Sequence, residues 1–141
     1  MRHAFLALAL LAAPAAADEI VTIPFDGTAD DADFVVASAI EAEGLVIDYV
    51  SNVGEMMERT GADLGLGPSP VGAGARSYLF CSATVSRAVM EADPMNMAHC
   101  PYAIFVAEIG GETVVGHKRY ADQSMAPVND LLARIAAGAA E

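Results

Sequence analysis

Two kinds of apolar pattern alternate along the chain from residue 19 onward. Runs typical of β-strands occupy residues 19–25, 45–50, 77–81, 102–109 and 112–120. Helices are predicted at residues 28–43, 53–60 and 82–92 and from residue 124 onward, where most apolar side chains recur at spacings of three, four and seven. The resulting order is β-α-β-α-β-α-β-β-α. It predicts a single α+β domain in which one mixed or antiparallel sheet of about five strands packs against helices.

Residues at the ends of these segments support the assignment. Thr28 is a predicted N-cap for the first helix, and Gly44 is the expected stop. Asn52 with Glu55 resembles a capping box for the second helix. Ser82 is a predicted cap for the third helix, and Pro94 prevents this helix from continuing.

The strand at 102–109 is apolar on both faces, which predicts a central strand covered on both sides. Gly110-Gly111 predicts a tight hairpin to the following strand. Pro24 predicts an edge position for the first strand. Residues 61–76 form a Gly- and Pro-rich loop, and we expect this loop to line a pocket if the protein has one.

The N-terminus has the pattern of a secretory signal peptide. Arg2 precedes an apolar run at residues 5–13, and Ala15-Ala16-Ala17 forms a small-residue cleavage site before Asp18. The apolar run is too short to span a bilayer, although an uncut N-terminal anchor is an alternative. We therefore expect residues 1–17 to be the signal peptide, residues 18–141 to be the mature domain, and the protein to be periplasmic or secreted.

The chain is acidic, with a formal net charge of −12. Removal of residues 1–17 takes away Arg2 and no acid, so the mature chain has six basic and 19 acidic residues and a net charge of −13. Such a chain repels nucleic acids and anionic membrane surfaces. Basic proteins or cations are better partners, although solubility alone also explains the charge.

Cys81 and Cys100 are the two cysteines of the chain. Paired cysteines are usual in exported proteins, so we expect a structural disulfide that joins the loop at 95–100 to the third strand. Closing a loop of about 20 residues would stabilise the fold by roughly 3 kcal/mol in the chain-entropy model. Thiol–disulfide exchange is an alternative role for the same pair.

A second hypothesis concerns the segment that leads to the fourth strand. Met95, Met97, His99 and Cys100 place thioether, imidazole and thiolate donors within six residues. These donors suit copper or haem iron, and a spacing of two would present Met95, Met97 and His99 on one side of an extended loop. The alternative is that the methionines pack into the core.

His117, Lys118 and Arg119 form the basic stretch of the last strand. Lys118 and Arg119 supply much of the positive charge of the mature chain. The triplet either pairs with acids of the same domain or forms a patch for an anionic ligand or partner.

Several of these features resemble the family called domain of unknown function 302. The matching features are Phe80-Cys81, Glu91-Ala92-Asp93-Pro94, Cys100-Pro101 and a strand that ends at Glu108, followed by a glycine hairpin. The resemblance covers most of the mature chain. It implies an α+β fold that tends to pair as a homodimer, and it implies no established activity, cofactor or catalytic residue.

Taken together, these observations predict a non-enzymatic, exported small binding or interaction module without a cofactor. Its partner would be a second copy or another exported protein, with no binding to nucleic acid and none to membranes after signal removal. One alternative is periplasmic handling of copper or haem through Met95, Met97, His99 and Cys100, and a second is a thiol–disulfide redox protein.

Overall fold

The computed structural model describes residues 17–140, so the predicted signal peptide lies, except for Ala17, outside the described residues. The strands are β1 (Glu19–Pro24), β2 (Ile47–Ser51), β3 (Arg76–Phe80), β4 (Tyr102–Ile109) and β5 (Glu112–Arg119). The α-helices are α1 (Ala29–Ala42), α2 (Val53–Asp63), α3 (Ala83–Ala92) and α4 (Ala126–Ala139). Short 3-10 helices span Pro94–His99 and Gln123–Met125. The predicted order of strands and α-helices is confirmed.

The five strands form one open antiparallel sheet in the order β1-β5-β4-β3-β2. The predicted α+β class is confirmed, and the sheet is antiparallel throughout. β1, which ends in Pro24, lies at one edge, where its missing N–H disrupts no ladder. Gly110 and Gly111 make the β4–β5 turn with φ values of +64° and +87°, a conformation that favours glycine.

Helices α1, α3 and α4 cover one face of the sheet, which we call the inner face. Their apolar stripes, including Val36, Ile40, Val89 and Leu132, meet Tyr78 and other inner-face side chains. This layer is the main hydrophobic core. It accounts for the helical periodicity seen in the sequence.

The opposite face, which we call the outer face, has no comparable helix layer among residues 17–140. Strand register places the following side chains on it: Ile20, Thr22, Pro24, Tyr49, Ser51, Ser77, Leu79, Ala103, Phe105, Ala107, Ile109, Glu112, Val114, Gly116 and Lys118. A small second cluster buries Ala75, Ala107 and Val114 under Val71. β4 is therefore central, as predicted, but the prediction that both of its faces are covered holds only at this small cluster.

The helix caps follow the sequence at α1 and α3 but not at α2. Thr28 and Asp31 form a reciprocal capping box at the start of α1, and Ser82 accepts a hydrogen bond from the N–H of Val85 in α3. Asn52 makes no capping hydrogen bond through its side chain, so the capping box predicted there is wrong. Instead, the N–H of Gly54 donates to the carbonyl of Ala75, 2.9 Å away.

Two helix boundaries also differ from the prediction. α2 continues through Gly61 to Asp63, so the loop begins at residue 64. The last helix was expected to start at Ser124, but Asp122 caps a 3-10 turn there, and α4 begins at Ala126.

Candidate functional site

The first feature that the sequence singled out is the disulfide between Cys81 and Cys100. Their Cα atoms are 6.4 Å apart, and the bond joins the end of β3 to the end of the 3-10 helix at Pro94–His99. Both residues are half-buried. Because the cysteines are 19 positions apart, the bond closes a loop that contains all of α3. The predicted pairing is therefore present.

The segment of Met95, Met97 and His99 is a 3-10 helix, so the expected extended loop is wrong. Asp93 accepts a hydrogen bond from the N–H of Met95, 2.9 Å away, and Pro94 fits the first turn of a helix. At three residues per turn, positions 95, 97 and 99 point in three directions about 120° apart. The side chains of Met95 and Met97 are 75% and 70% exposed, so neither packs into the core.

Two side chains of this segment hold it against the domain. Asn96 is buried, and its Nδ2 donates to the carbonyl of Val89 and to Oγ of Ser124, each at 2.9 Å. The ring of His99 packs on the ring of Tyr120 with centroids 4.7 Å apart. Sequence analysis missed Asn96, because no local signal distinguishes a buried asparagine from one in a solvated loop.

The donors proposed for copper or haem do not form a common site in this geometry. Cys100 is in the disulfide, and His99 packs on Tyr120. Met95 and Met97 are exposed, at positions about 120° from that of His99 around the 3-10 helix. Within residues 17–140, no three His, Cys, Asp or Glu side chains come together in a group that could hold a metal. Any metal hypothesis for this segment would have to rest on fewer donors than the sequence suggested.

The basic triplet divides between the two faces of β5. His117 lies on the inner face and is buried, with Nδ1 3.0 Å from the carbonyl of Lys118. Nζ of Lys118 is 2.7 Å from Asp18, and a guanidinium nitrogen of Arg119 is 2.7 Å from Glu19. The two cations thus pair with acids at the start of β1. The three residues do not form one continuous patch.

A polar network on the inner face was also missed in the sequence. The hydroxyl of Tyr78 donates to Asp33, and the guanidinium of Arg76 contacts Asp30 at 3.1 Å and Asp33 at 3.9 Å. Burial, followed by the hydrogen bond to Asp33, raises the pKa of Tyr78 well above its usual range, so this hydroxyl stays protonated. The network ties α1 to β3.

The outer face is a broad, mostly apolar surface, and Phe105 lies near its centre. A Cβ atom added at Gly116 would lie 2.3 Å from the ring of Phe105, so the ring rests directly on the backbone of the neighbouring strand. Next to it is a hollow of about 280 Å³, lined among others by Ile20, Val71 and Ile109. Ile20 is 64% exposed and Ile109 is 50% exposed. The hollow is almost entirely apolar.

Charge is scarce on the outer face, although the chain as a whole is strongly acidic. Among the outer-face side chains that the strand register assigns within residues 17–140, Glu112 and Lys118 are charged. Two exposed or partly exposed acids lie at its edges: Asp18, which pairs with Lys118, and Asp48, at the bulge of β2. By contrast, α1 on the opposite side carries acids such as Asp30, Asp31 and Glu41. The outer face is therefore an apolar, nearly uncharged surface on an acidic protein.

The predicted loop does line cavities. Residues between 66 and 76 contribute to the apolar hollow, to a groove beside α2 and to a small polar cavity near Arg76.

In the part of the chain that the structure describes, no helix combines the length and apolar character needed to cross a membrane.

Comparison with known proteins places the fold. The model of a family described as "Domain of unknown function DUF302" matches residues 21–141. A crystal structure of an uncharacterized conserved DUF302 protein from Bacillus stearothermophilus has a TM-score of 0.68 and 14% sequence identity, covering 85% of this chain and 97% of that chain. No curated protein matches the sequence. The family match spans nearly all of the described domain, and the chain therefore belongs to the DUF302 family.

Proposed function

We propose that this protein is an exported, non-enzymatic interaction module that pairs with a second copy of itself through the outer face. The observation behind this proposal is the apolar, nearly uncharged outer face around Phe105. Pairing would cover that face as α1, α3 and α4 cover the inner one. The disulfide between Cys81 and Cys100 supports an exported location, because such bonds persist in oxidising compartments.

Apolar surface favours a partner on this face. The aliphatic and aromatic side chains of Ile20, Tyr49 and Ile109 are half or more exposed, and Leu79 and Phe105 are half-buried between them. Contiguous apolar patches on soluble proteins commonly mark interaction sites, because covering them removes apolar area from water. A sheet face also presents the same side-chain pattern to an identical partner in an isologous pair.

Charge favours a second copy over a partner of another kind. Two copies of a chain with a net charge of −13 repel one another unless the acids stay apart. Contact through the outer face would bring together few acids and would leave those of α1 on the far sides of the pair. A basic partner protein would instead be drawn to the acids on the helices, outside this face.

The size of the face sets the expected affinity. Five strands about 4.8 Å apart give a width of about 19 Å. Strands of five to eight residues give a mean length of about 21 Å. The footprint is therefore roughly 400 Å² for each copy, which is below the roughly 800 Å² of a standard interface. We expect a reversible dimer with a dissociation constant in the micromolar range.

Sedimentation equilibrium of the mature chain, which begins at Asp18, tests this proposal. The wild type should shift from monomer to dimer between about 1 and 500 μM, the range that brackets a micromolar constant. Ile20→Lys with Ile109→Lys should remain monomeric throughout. Both positions are exposed, so these changes leave the core intact.

Phe34→Lys provides the matched control. Phe34 is 75% exposed on α1, away from the outer face, so this variant should dimerise like the wild type. If the wild type stays monomeric at all concentrations, the proposal is wrong. It is equally wrong if Phe34→Lys abolishes the dimer while the Ile20 and Ile109 changes leave it intact.

A further inference from the structure

A second apolar groove lies beside α2 and is separate from the outer face. It has a volume of about 510 Å³. One wall is the side of α2 that carries Met56, Met57 and Gly61, and the other is the loop with Leu66, Pro68 and Pro70. The methionine and leucine side chains are 42%, 37% and 65% exposed. The groove is open to solvent and runs along the second half of the helix.

Specific contacts hold the two walls together. Oε1 of Glu58 accepts a hydrogen bond from the N–H of Ser69, 2.8 Å away. The N–H of Leu66 donates to the carbonyl of Gly61, also at 2.8 Å. A Cβ atom at Gly61 would lie 3.4 Å from the carbonyl of Gly67, so the loop lies close against the helix. These contacts fix the position of the loop against α2 and so define the shape of the groove.

The lining of the groove suits an apolar side-chain ligand. Methionine side chains are flexible and polarisable, and they adapt to partners of different shape. The hydroxyl of Thr60 donates a hydrogen bond to the carbonyl of Met56, 2.8 Å away, so its proton is not available to a ligand. The loop wall from Leu66 to Pro70 contains no charged side chain.

The charges around the groove indicate the sign of the partner. Within residues 53–75, Glu55, Glu58 and Asp63 are acidic and Arg59 is basic. Helical spacing places Asp63 two turns beyond Met56 on the same side of α2. The electrostatic potential around the groove is made still more negative by the rest of the protein, because the mature chain has a net charge of −13.

From these observations we propose that the groove binds a basic amphipathic segment of a partner protein. The apolar side chains of that segment would pack between Met56, Met57 and Leu66, and its Lys or Arg side chains would lie near Asp63. This mode corresponds to a helix lying in a methionine-lined groove. It is independent of pairing through the outer face.

Binding can be measured with a synthetic 14-residue peptide that has Leu at helical spacing, Lys on the other face and a single Trp. Because the protein contains no Trp, the fluorescence of the peptide reports binding without background from the mature protein. Two control peptides distinguish the contribution of the apolar pattern to binding from that of the positive charge. One has the same composition in scrambled order, and the other has Glu in place of Lys. The first peptide should bind at least tenfold more tightly than either control.

Variants of the mature protein locate the site. Met56→Ser with Met57→Ser should weaken binding at least tenfold, and Phe34→Ser on α1 should not change it. Asp63→Asn should weaken binding two- to threefold, and Arg59→Gln should tighten it by a similar factor. Equal binding of the scrambled peptide, or full binding by the methionine variant, would overturn the proposal. So would tighter binding by Asp63→Asn than by Arg59→Gln.

Discussion

Removal of the disulfide between Cys81 and Cys100 should lower the stability of the fold by a predictable amount. Cys81→Ala with Cys100→Ala opens a loop whose ends are 19 positions apart. In the chain-entropy model, closing a loop of about 20 residues removes about 11 cal/mol/K from the unfolded chain, or about 3 kcal/mol at 25 °C. The double variant should therefore lose about 3 kcal/mol of its free energy of unfolding. The midpoint of thermal unfolding should fall by about 10 °C.

The loss should not exceed this value by much, because other contacts remain. The two hydrogen bonds of buried Asn96 and the packing of His99 on Tyr120 still hold the 3-10 helix in place. The variant should therefore fold to the same structure with lower stability. Urea unfolding of the oxidised wild type, the reduced wild type and the double variant measures the effect.

The reduced wild type and the double variant should agree within about 0.5 kcal/mol, since both lack the same constraint. A thiol count on denatured, unreduced wild type provides the control, with no free thiol expected. A difference below about 1 kcal/mol between the oxidised wild type and the double variant would refute the reasoning, because the bond would then constrain the unfolded chain little.

Three further predictions concern single side chains. The buried hydroxyl of Tyr102 makes no hydrogen bond within residues 17–140, so Tyr102→Phe should be at least as stable as the wild type, with a gain of about 1 kcal/mol. A loss of stability in urea would show that the hydroxyl has a partner. Asn96→Ala should lose about 2 kcal/mol, measured in the same way, because two buried hydrogen bonds are removed. The hydrogen bond to Lys118 lowers the pKa of Asp18, so this carboxylate stabilises the fold above about pH 4 and less as the pH falls. The unfolding temperature should therefore decline less steeply between pH 4 and pH 2 in Asp18→Asn than in the wild type, and equal slopes would contradict the assignment.

Features specified by short-range interactions were predictable from the sequence. β4 begins and ends where its apolar run does, and the glycine pair makes the following turn. Thr28 caps α1 because its side chain and that of Asp31 reach each other's backbone N–H groups within one turn. The partner of each cysteine was also predictable, since the chain has two.

Features that depend on distant parts of the chain were not predictable. Asn52 was expected to cap α2, but Gly54 donates to the carbonyl of Ala75, which lies 21 positions further along the chain and meets the helix only in the fold. The extended conformation expected for the methionine segment is an error of a different kind, because Asp93 and Pro94, directly before it in the sequence, favour a helical turn there. The outer face could not be assigned either, because an apolar strand pattern does not reveal which face the helices cover.

Pairing of two copies through the outer face is the property on which the proposed function depends most. Backbone amide spectra of the mature protein at about 10 μM and about 1 mM test it directly, because these concentrations lie on either side of a dissociation constant of about 100 μM, the weak end of the micromolar range expected here. Pairing of this kind predicts concentration-dependent shifts at outer-face positions such as Leu79, Phe105 and Ile109, with little change in α1 and α4. Shifts confined to the helix layer, or identical spectra at both concentrations, would contradict it.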